Sequence, residues 1–552
     1  MCGIHGFNSN SNKLIKRMVM ASEYRGPDGT GMYTDNAISL GHNLLAITES
    51  TDLSIQPLVL DDRWILCFNG EIYNYSQLRS ELAKLGDTFT TSSDTEVLAK
   101  GLRRHGKDFV YRLEGMYAIA WYDKQDRTLM LCRDSAGAKP LYVYEKNNTL
   151  VFSSTIKSIS AYGIDLRLNK TLKRDRVVRG SLSGIATLYE DINKLYPGQI
   201  LQYKLDKLKL VANEHVHEKI EINDAPVNYD EFRKKVSDSV KMCLMGRRPI
   251  GLYLSGGLDS SIVLHELVRH KNKPKTFTTR WKVDEETDCN SDADVARKLS
   301  SHYKTDHTEL LVTEQMYIDS FEDTVWALEQ PFGNKSTPAY YAMNKTVSEN
   351  GVVVTLSGDG GDELFTGYKR HLGIHKKTDE EKKNILKDFY EKWSDHKDSW
   401  FPVECISGDC LNTVMLKEFL CRVAEDFLIR NDNLGMNFSM EARFPFTLKS
   451  MRNYAYSIPS KYKIENNQTK IIPRNAYAER LPKYVIEKHK TGWAIPKQFI
   501  FNDKFKSFAC DNIDSDKRDD FVKAFNSSYS DLRFIFPYIS WNIWKRLFKV
   551  SI

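Results

Sequence analysis

The run PIGLYLSGGLDSSIVLHELVRH, residues 249–270, limits the fold more than any other stretch of the chain. Residues 249–254 read as a buried strand, and Val263/Leu267 and Leu264/Val268 then pair at helical spacing. Between strand and helix lies Ser255-Gly256-Gly257-Leu258-Asp259-Ser260-Ser261, a turn through two adjacent glycines. Such a junction gathers backbone N–H groups and a helix N-terminus around an anion, and serine hydroxyls add donors. Asp259 would repel a phosphate unless a divalent cation lay between them, which implies Mg²⁺. The plain alternative is a tight turn with serine caps. The spacing is neither that of a Walker A loop nor that of a dinucleotide fingerprint, so kinase and dehydrogenase readings fall away.

A second junction repeats the logic. VVVTL (352–356) reads as a strand, and SGDGGDELFTGYKR follows it. Asp359, Asp362 and Glu363 crowd three acids into a glycine-rich turn, where a metal or a lysine is needed to relieve their repulsion. From Asn228 onward strands alternate with longer helices, the α/β pattern. The first 205 residues differ. RWILCFNGEIYN, MYAIAWYD and TLMLCRD are short β-runs, and segments 76–84 and 94–104 have helical apolar spacing. A Lys/Glu/Asn-rich passage, 206–228, reads as a last strand and then a linker. The expected division is therefore 2–205, linker 206–228, and 229–552. The lysine-rich stretch 376–398 is expected to be an exposed insertion.

The chain opens MCGIHGF, and removal of Met1 before a small residue would give Cys2 a free α-amine beside its thiol. A thiolate attacks carbonyl carbon, and a neighbouring amine can serve as its base. Bulk properties exclude several classes. Seventy-nine basic against 73 acidic residues leave a net charge of +6, too weak and dispersed for a nucleic-acid footprint. The apolar runs are strand-length, which predicts no membrane span. FIFPYISWNIWKRLFKV near the C-terminus is expected to be a helix packed on its own domain. Nine scattered cysteines, without zinc-like spacing, suit reduced thiols in the cytoplasm.

Taken in order, MCGI (1–4), RGPDGTG (25–31), FNGEIYN (68–74), SSDTEVL (92–98), LEGMYAIAWYD (113–123) and RDSAGAKPLY (133–142) form one set of marks. LSGGLDSS (254–261), LSGDGGDELFTGY (356–368) and SMEARFPF (439–446) form a second. Together they resemble the glutamine-hydrolysing asparagine synthetases over nearly the whole chain. The resemblance implies an α+β half, an Ntn-hydrolase αββα sandwich acting as a class II glutamine amidotransferase. In it Cys2 forms the γ-glutamyl thioester, Asn69 and Gly70 make the oxyanion hole, and Glu71 and Asp94 contact glutamine, Asp94 at the α-ammonium. Main-chain groups of Leu45, Ala46, Ile47 and Thr48 line the same ligand. The other half is implied to be α/β, a Rossmann-like ATP pyrophosphatase that activates a carboxylate as an acyl-adenylate, releasing AMP and pyrophosphate. Ammonia reaches that adenylate through an internal tunnel. For ATP the resemblance points to Tyr253, Ser255, Gly256, Gly257, Asp259, Ser260, Thr279, Ser357 and Gly358. It gives Asp259 and Asp362 to Mg²⁺, and gives Asp359 and Lys470 catalytic positions, Lys470 opening a K-x-x-x-R segment that ends at Arg474.

Three positions depart from the family pattern. Leu44, in GHNLLAI, stands where an arginine pairs with the α-carboxylate of glutamine, which predicts weaker glutamine binding or use of free ammonia. Asp359 replaces a glutamate beside the acceptor carboxylate, as in relatives that amidate other acids. Pro473 replaces a leucine between Lys470 and Arg474. The expected activity is asparagine formation from aspartate, ATP and glutamine. The alternative keeps the chemistry and changes the acceptor to a cell-envelope sugar acid, a peptide or a natural-product precursor. A tRNA-modifying pyrophosphatase would want a basic groove, and a non-catalytic relative would not keep Cys2, Asn69, Asp94, Asp259, Asp362 and Lys470 together. The expected partners are small molecules, with no nucleic acid and no membrane; a homodimer is compatible with the family.

Overall fold

A computed structural model describes residues 2–49, 51–170, 172, 185–216, 220–283, 288–393, 406, 408–493, 495–527 and 535–551. The N-terminal strands are β1 (Gly3–Phe7), β2 (Gly29–Thr34), β3 (Ser39–Leu44), β4 (Leu58–Leu60), β5 (Trp64–Ile72) and β6 (Gly115–Asp123). They continue with β7 (Thr128–Arg133), β8 (Tyr142–Lys146), β9 (Thr149–Ser153), β10 (Ile192–Lys194), β11 (Gln199–Lys204) and β12 (Lys209–His215). Two six-stranded sheets result, ordered β10-β8-β9-β1-β3-β2 and β12-β11-β7-β6-β5-β4, and every pairing in them is antiparallel.

The apolar run MYAIAWYD explains the layering. Alternate strand residues face opposite sides. Ala118, Ala120 and Tyr122 pack with Ile4, Leu40 and Phe152 of the facing sheet. Tyr117, Ile119 and Trp121 pack outward with Leu78, Leu82, Val97 and Leu102. Those last four lie on the helices Tyr75–Lys84 and Asp94–His105, which match the two helical segments read from spacing. On the other sheet the helices Asn12–Met20 and Ile156–Tyr162 cover Phe7 and Val151 with Ile15, Met18, Ile156 and Ile159. Helix, sheet, sheet, helix: this is the αββα sandwich that the resemblance implies.

The second half centres on a parallel sheet ordered β15-β14-β13-β16-β17. Its strands are β13 (Ile250–Tyr253), β14 (Lys275–Trp281), β15 (Asp306–Val312), β16 (Val354–Leu356) and β17 (Glu441–Arg443). The order reverses between β13 and β16, which pair in parallel. At such a switch point the loops leaving two neighbouring strands diverge and open a crevice at their carboxyl ends. Those two loops are the glycine-rich junctions read from the sequence.

The lysine-rich stretch forms the helix Asp379–Trp393, with Glu380, Glu381 and Lys383 exposed; its end, 394–398, lies outside the described residues. The C-terminal aromatic run forms the helix Ile535–Leu547, whose Phe536, Ile539, Ile543 and Trp544 are buried. Trp544 Nε1 donates to the Tyr189 hydroxyl at 2.7 Å, docking the helix on the N-terminal half. Among the described residues no helix is long and apolar enough to cross a membrane.

Ion pairs cross between the halves. Arg25 donates to Asp432 at 2.8 Å with both side chains buried, and Lys139 lies 3.5 Å from the same carboxylate. Asp432→Ala would take the nearest counter-charge from two buried cations, at a cost of about 3–5 kcal/mol. The expected result is a marked fall in the denaturant midpoint of Asp432→Ala, while Asp206→Ala, which breaks the exposed pair with Arg127, leaves the midpoint unchanged.

Candidate active sites

Cys2 sits immediately before β1 and is held against β5. Its backbone N–H donates to Asn69 Oδ1 at 3.1 Å, and its carbonyl accepts from Arg25 Nε at 3.2 Å. Because the Asn69 oxygen is so used, its amide NH₂ is the donor end, and it donates to Ser154 Oγ at 3.4 Å. Gly70 has φ +154°, and a Cβ there would meet the Met116 carbonyl at 2.0 Å, so β5 can pass this close to β6 only as glycine. Cys2, Leu44, Leu45, Ala46, Ile47, Thr48, Gly70, Glu71 and Asp94 border one small cavity of about 30 Å³. The structure thus brings together all the residues predicted for glutamine, with Asn69 hydrogen-bonded to Cys2 just behind.

The electrostatics of this cavity are set by burial. Burial pushes the Cys2 thiol up to about 11, while the α-amine at the chain start and the Leu45 N–H pull it back. Burial pushes Asp94 up to about 6 despite the hydrogen bond it accepts from the Ile72 N–H at 2.9 Å. Burial and the Glu441 carboxylate raise Glu71, which Arg443 opposes from 3.5 Å. Two buried histidines nearby are committed elsewhere. His5 bonds Ser153, Asn43 and Ser22, and His42 bonds the Phe68 carbonyl; burial lowers them to about 4 and about 3, so both are neutral. Leu44 is 3% exposed, and no lysine or arginine borders the cavity among the described residues. Arg25 is spent on the Cys2 carbonyl and Asp432.

The second cavity, about 520 Å³, opens where β13 and β16 diverge. The strand β13 runs into the helix Leu258–Val268 through Gly256, whose φ of +70° and whose Cβ position, 2.3 Å from the Asp292 carbonyl, admit only glycine. Ser255 Oγ lies 3.0 Å from Ser260 Oγ, and Gly257 N–H donates to Ser255 at 3.3 Å. In the other loop Asp359 accepts from Ser357 Oγ at 2.8 Å and, from the helix Ile429–Met436, from Asn431 Nδ2 at 2.7 Å. Lys470 Nζ lies between the two aspartates, pairing with Asp259 and, at 2.5 Å, with Asp362. Lys490 pairs with the other oxygen of Asp362. These two lysines hold Asp362 below the usual carboxylate range, whereas burial leaves Asp259 above it. The aspartates in turn raise Lys470, which stays charged.

Tyr253, Ser255, Gly257, Asp259, Ser260, Ser357, Gly358, Asp359, Asp362 and Lys470 all border this cavity. Gly256 serves the turn behind it. Thr279 borders an adjoining apolar cavity of about 150 Å³, with Leu254, Phe277 and Met343, which shares Tyr253, Tyr340 and Trp493 with the first. Asp259 Oδ1 is buried without a hydrogen-bond partner, and Asp362 is close by through Lys470. No group of three or more metal-ligand side chains gathers among the described residues. Two carboxylates fit Mg²⁺ that arrives with phosphate and keeps water, and they do not form a closed protein cage. Pro473 does no damage. It is the third residue of the helix Ile471–Ala476, where a backbone N–H would have no intrahelical partner.

Sequence reasoning missed Arg422, Arg430 and Asn431 in the cavity wall. They lie on and just after a π-helical turn, Phe419–Leu428, that breaks the 3.6-residue period. Arg430 Nε and Asn431 Oδ1 are buried without hydrogen-bond partners, while Asn431 Nδ2 donates to Asp359. Only the polar character of RNDN hinted at them.

Residues 231–531 match the family model described as asparagine synthase, and residues 1–215 match a glutamine amidotransferase domain. Glutamine-hydrolysing asparagine synthetase 1 of Bacillus subtilis is 27% identical, over 95% of this chain and 91% of its own. Glutamine-hydrolysing asparagine synthetase 3 of Arabidopsis thaliana is 28% identical, over 92% of this chain and 81% of its own. The solved structure of B. subtilis glutamine phosphoribosylpyrophosphate amidotransferase is 18% identical, with a TM-score of 0.30, over 46% of this chain and 60% of that one. With more than half of its length inside the asparagine synthase model and most of the rest inside the amidotransferase one, the chain belongs to the asparagine synthase family of glutamine-hydrolysing, ligase-type amidotransferases.

Proposed function

We propose that the chain makes asparagine from aspartate, with nitrogen from glutamine and activation by ATP. The observation that carries this reading is Lys470, lodged between Asp259 and Asp362 over the glycine-serine loop, in a chain that also buries Cys2 beside Asn69 and Gly70. Residues 2–205 form the glutaminase unit and 229–552 the ligase unit, with 206–228 between them. Buried thiols at Cys67, Cys132 and Cys243 fit a reducing, cytoplasmic setting.

Removal of Met1 leaves the Cys2 amine as the base for its own thiol, since burial makes His5 and His42 weak bases. The thiolate attacks the side-chain carbonyl carbon of glutamine, ammonia leaves, and water later cleaves the thioester to glutamate. Asn69 Nδ2 and the Gly70 N–H face the charge that develops on oxygen. In the second cavity the acceptor carboxylate attacks the α-phosphorus of ATP and pyrophosphate departs. Ammonia then displaces AMP from the acyl carbon. Backbone N–H groups of the 255–260 loop hold phosphate, and Lys470 balances the charge in both steps. Mg²⁺ at Asp259 and Asp362 would neutralise the leaving pyrophosphate.

One observation favours a second reading with a longer acceptor. Asp359 is tied back to Ser357 and Asn431, which leaves the space toward Arg422 and Arg430 open. Amide formation across a panel of acids separates the two, since aspartate should outrun longer dicarboxylates only under the first.

Asp259→Ala and Lys470→Ala are expected to lower amide formation by about 10²-fold or more while glutamate release persists. Product analysis should give AMP and pyrophosphate in step with amide; ADP and orthophosphate would refute the adenylate. The raised Asp94 generates a pH dependence. The free enzyme loses this carboxylate as pH falls through about 6, so kcat/KM for glutamine drops about tenfold per unit below that. In the complex the bound ammonium lowers Asp94, so kcat turns down at lower pH. Asp94→Asn should remove the kcat/KM inflection, which a pH profile of glutamate release reads directly.

A further inference from the structure

A glutamine with its carboxamide at Cys2 and its ammonium at Asp94 still presents an α-carboxylate, and the wall that would meet it carries Leu44. We propose that Arg247, from the loop before β13 in the ligase half, reaches across the interface and binds that carboxylate. The inference rests on glutamine being the nitrogen donor.

The loop carrying Arg247 is fastened to the cavity wall. The Arg247 N–H donates to the Ile47 carbonyl at 2.9 Å. Arg248 Nε donates to the Ala46 carbonyl at 2.9 Å, and its guanidinium pairs at 2.5 Å with Asp28, which also accepts the Ala46 N–H. Gly246 has φ +107°, and a Cβ there would meet Ile47 Cγ2 at 2.7 Å, so the loop lies flush against residue 47. Ala46 and Ile47 are themselves cavity residues. Arg248 is thereby a positioning residue with both ends tied.

Arg247 is not tied. Its side chain is 73% exposed, and its guanidinium lies 3.6 Å from Glu49. Glu49 follows Thr48 on one wall of the cavity and accepts a hydrogen bond from Ser92, two residues before Asp94 on the opposite wall. The Glu49–Ser92 bridge therefore joins the two walls, and the Arg247 guanidinium stands beside it. Glu49 itself is 9% exposed, but at 3.6 Å and with the guanidinium in water it holds Arg247 loosely. A ligand carboxylate arriving there can displace Glu49 and take the planar fork of the guanidinium. The interior cannot do this work, because it carries the carboxyl groups of Glu71 and Asp94 and no lysine or arginine borders it among the described residues. Glutamine affinity would then depend on contact between the halves, since the cation belongs to one and the nucleophile to the other.

The test uses the full chain, measuring glutamate release from glutamine and, in parallel, amide formation from ammonium. Arg247→Ala should raise the glutamine KM about tenfold with a much smaller change in kcat, and Arg247→Lys should recover part of the loss. The probe 4-aminobutanamide keeps the ammonium and the carboxamide and lacks the α-carboxylate. Wild type should lose on this probe about what Arg247→Ala loses on glutamine, and the two losses should not add. Additive losses, or a glutamine KM within twofold of wild type, overturn the assignment to Arg247. So does an equal fall in ammonium-dependent synthesis, which would mark a merely structural role. Failure of the glutamine reading looks different: wild type would then release no glutamate at all.

Discussion

Arg443 is the side chain on which both cavities depend. It ends β17 with no exposed surface, its Nε 2.5 Å from Glu441 and its Nη1 2.8 Å from the Cys243 carbonyl. It also bonds the Met245 carbonyl, in the segment that leads to Arg247. On its far side Glu71, a wall of the Cys2 cavity, lies 3.5 Å away. Its own backbone carbonyl accepts the Ser357 N–H at the mouth of the ATP cavity. Taking such charges out of water costs several kcal/mol each, and only close, multiply bonded geometry repays it. One guanidinium here compensates two buried carboxylates, so the halves can meet only in the arrangement that brings all three together. Arg25–Asp432 and Arg133–Glu425 repeat the device elsewhere in the interface. The joint between the halves is also apolar, as where Leu45 and Ile47 pack with Val354 and Met436, and these buried charges add direction to it.

The same cluster sets the chemistry at Cys2. Glu71 and Glu441 each push the thiol up, and Glu441 pushes Glu71 and Asp94 up as well. The interior of the cavity therefore favours an ammonium group and disfavours a second carboxylate. With a leucine at position 44, a negative ligand end is best held at the rim, where water screens the acids and a mobile guanidinium can come from outside. The missing arginine and the acid-rich wall are thus two sides of one arrangement.

Much of this was legible in the sequence. Strand-length apolar runs, the two glycine-rich junctions and the helices at 76–84 and 94–104 fold as local pattern dictates, because backbone geometry and burial periodicity are local properties. Cys2, Asn69, Asp94, Asp259 and Lys470 were legible through motif resemblance, and each borders or backs its expected cavity. The ion pairs were not. Arg25 and Asp432 are 407 residues apart, and although Arg25 opens a family motif, nothing in either neighbourhood pairs it with Asp432. Arg430 and Asn431 were hidden by the π-helical turn, which rotates side chains away from the face that a 3.6-residue period assigns. Pro473, a departure from the family pattern, falls in the first turn of a helix, a boundary that the local sequence does not mark.

Lys470 shows how close the sequence came and what it lacked. The residue has φ +58°, a left-handed conformation that a lysine adopts at some cost, between the strand pair 464–469 and the helix Ile471–Ala476. Its chain reaches the aspartates past Gly367, where a Cβ would lie 2.6 Å from Lys470 Cε and 1.8 Å from Asp362 Oδ1. The glycine of DELFTGY is therefore not a turn residue alone. It is the gap through which a lysine from about 100 residues away enters the acid cluster, and φ at Gly367 is not in the left-handed region that would otherwise explain it. Three acids in a glycine-rich turn demanded a cation, and the sequence said so. Which lysine answered was decided by this one missing side chain.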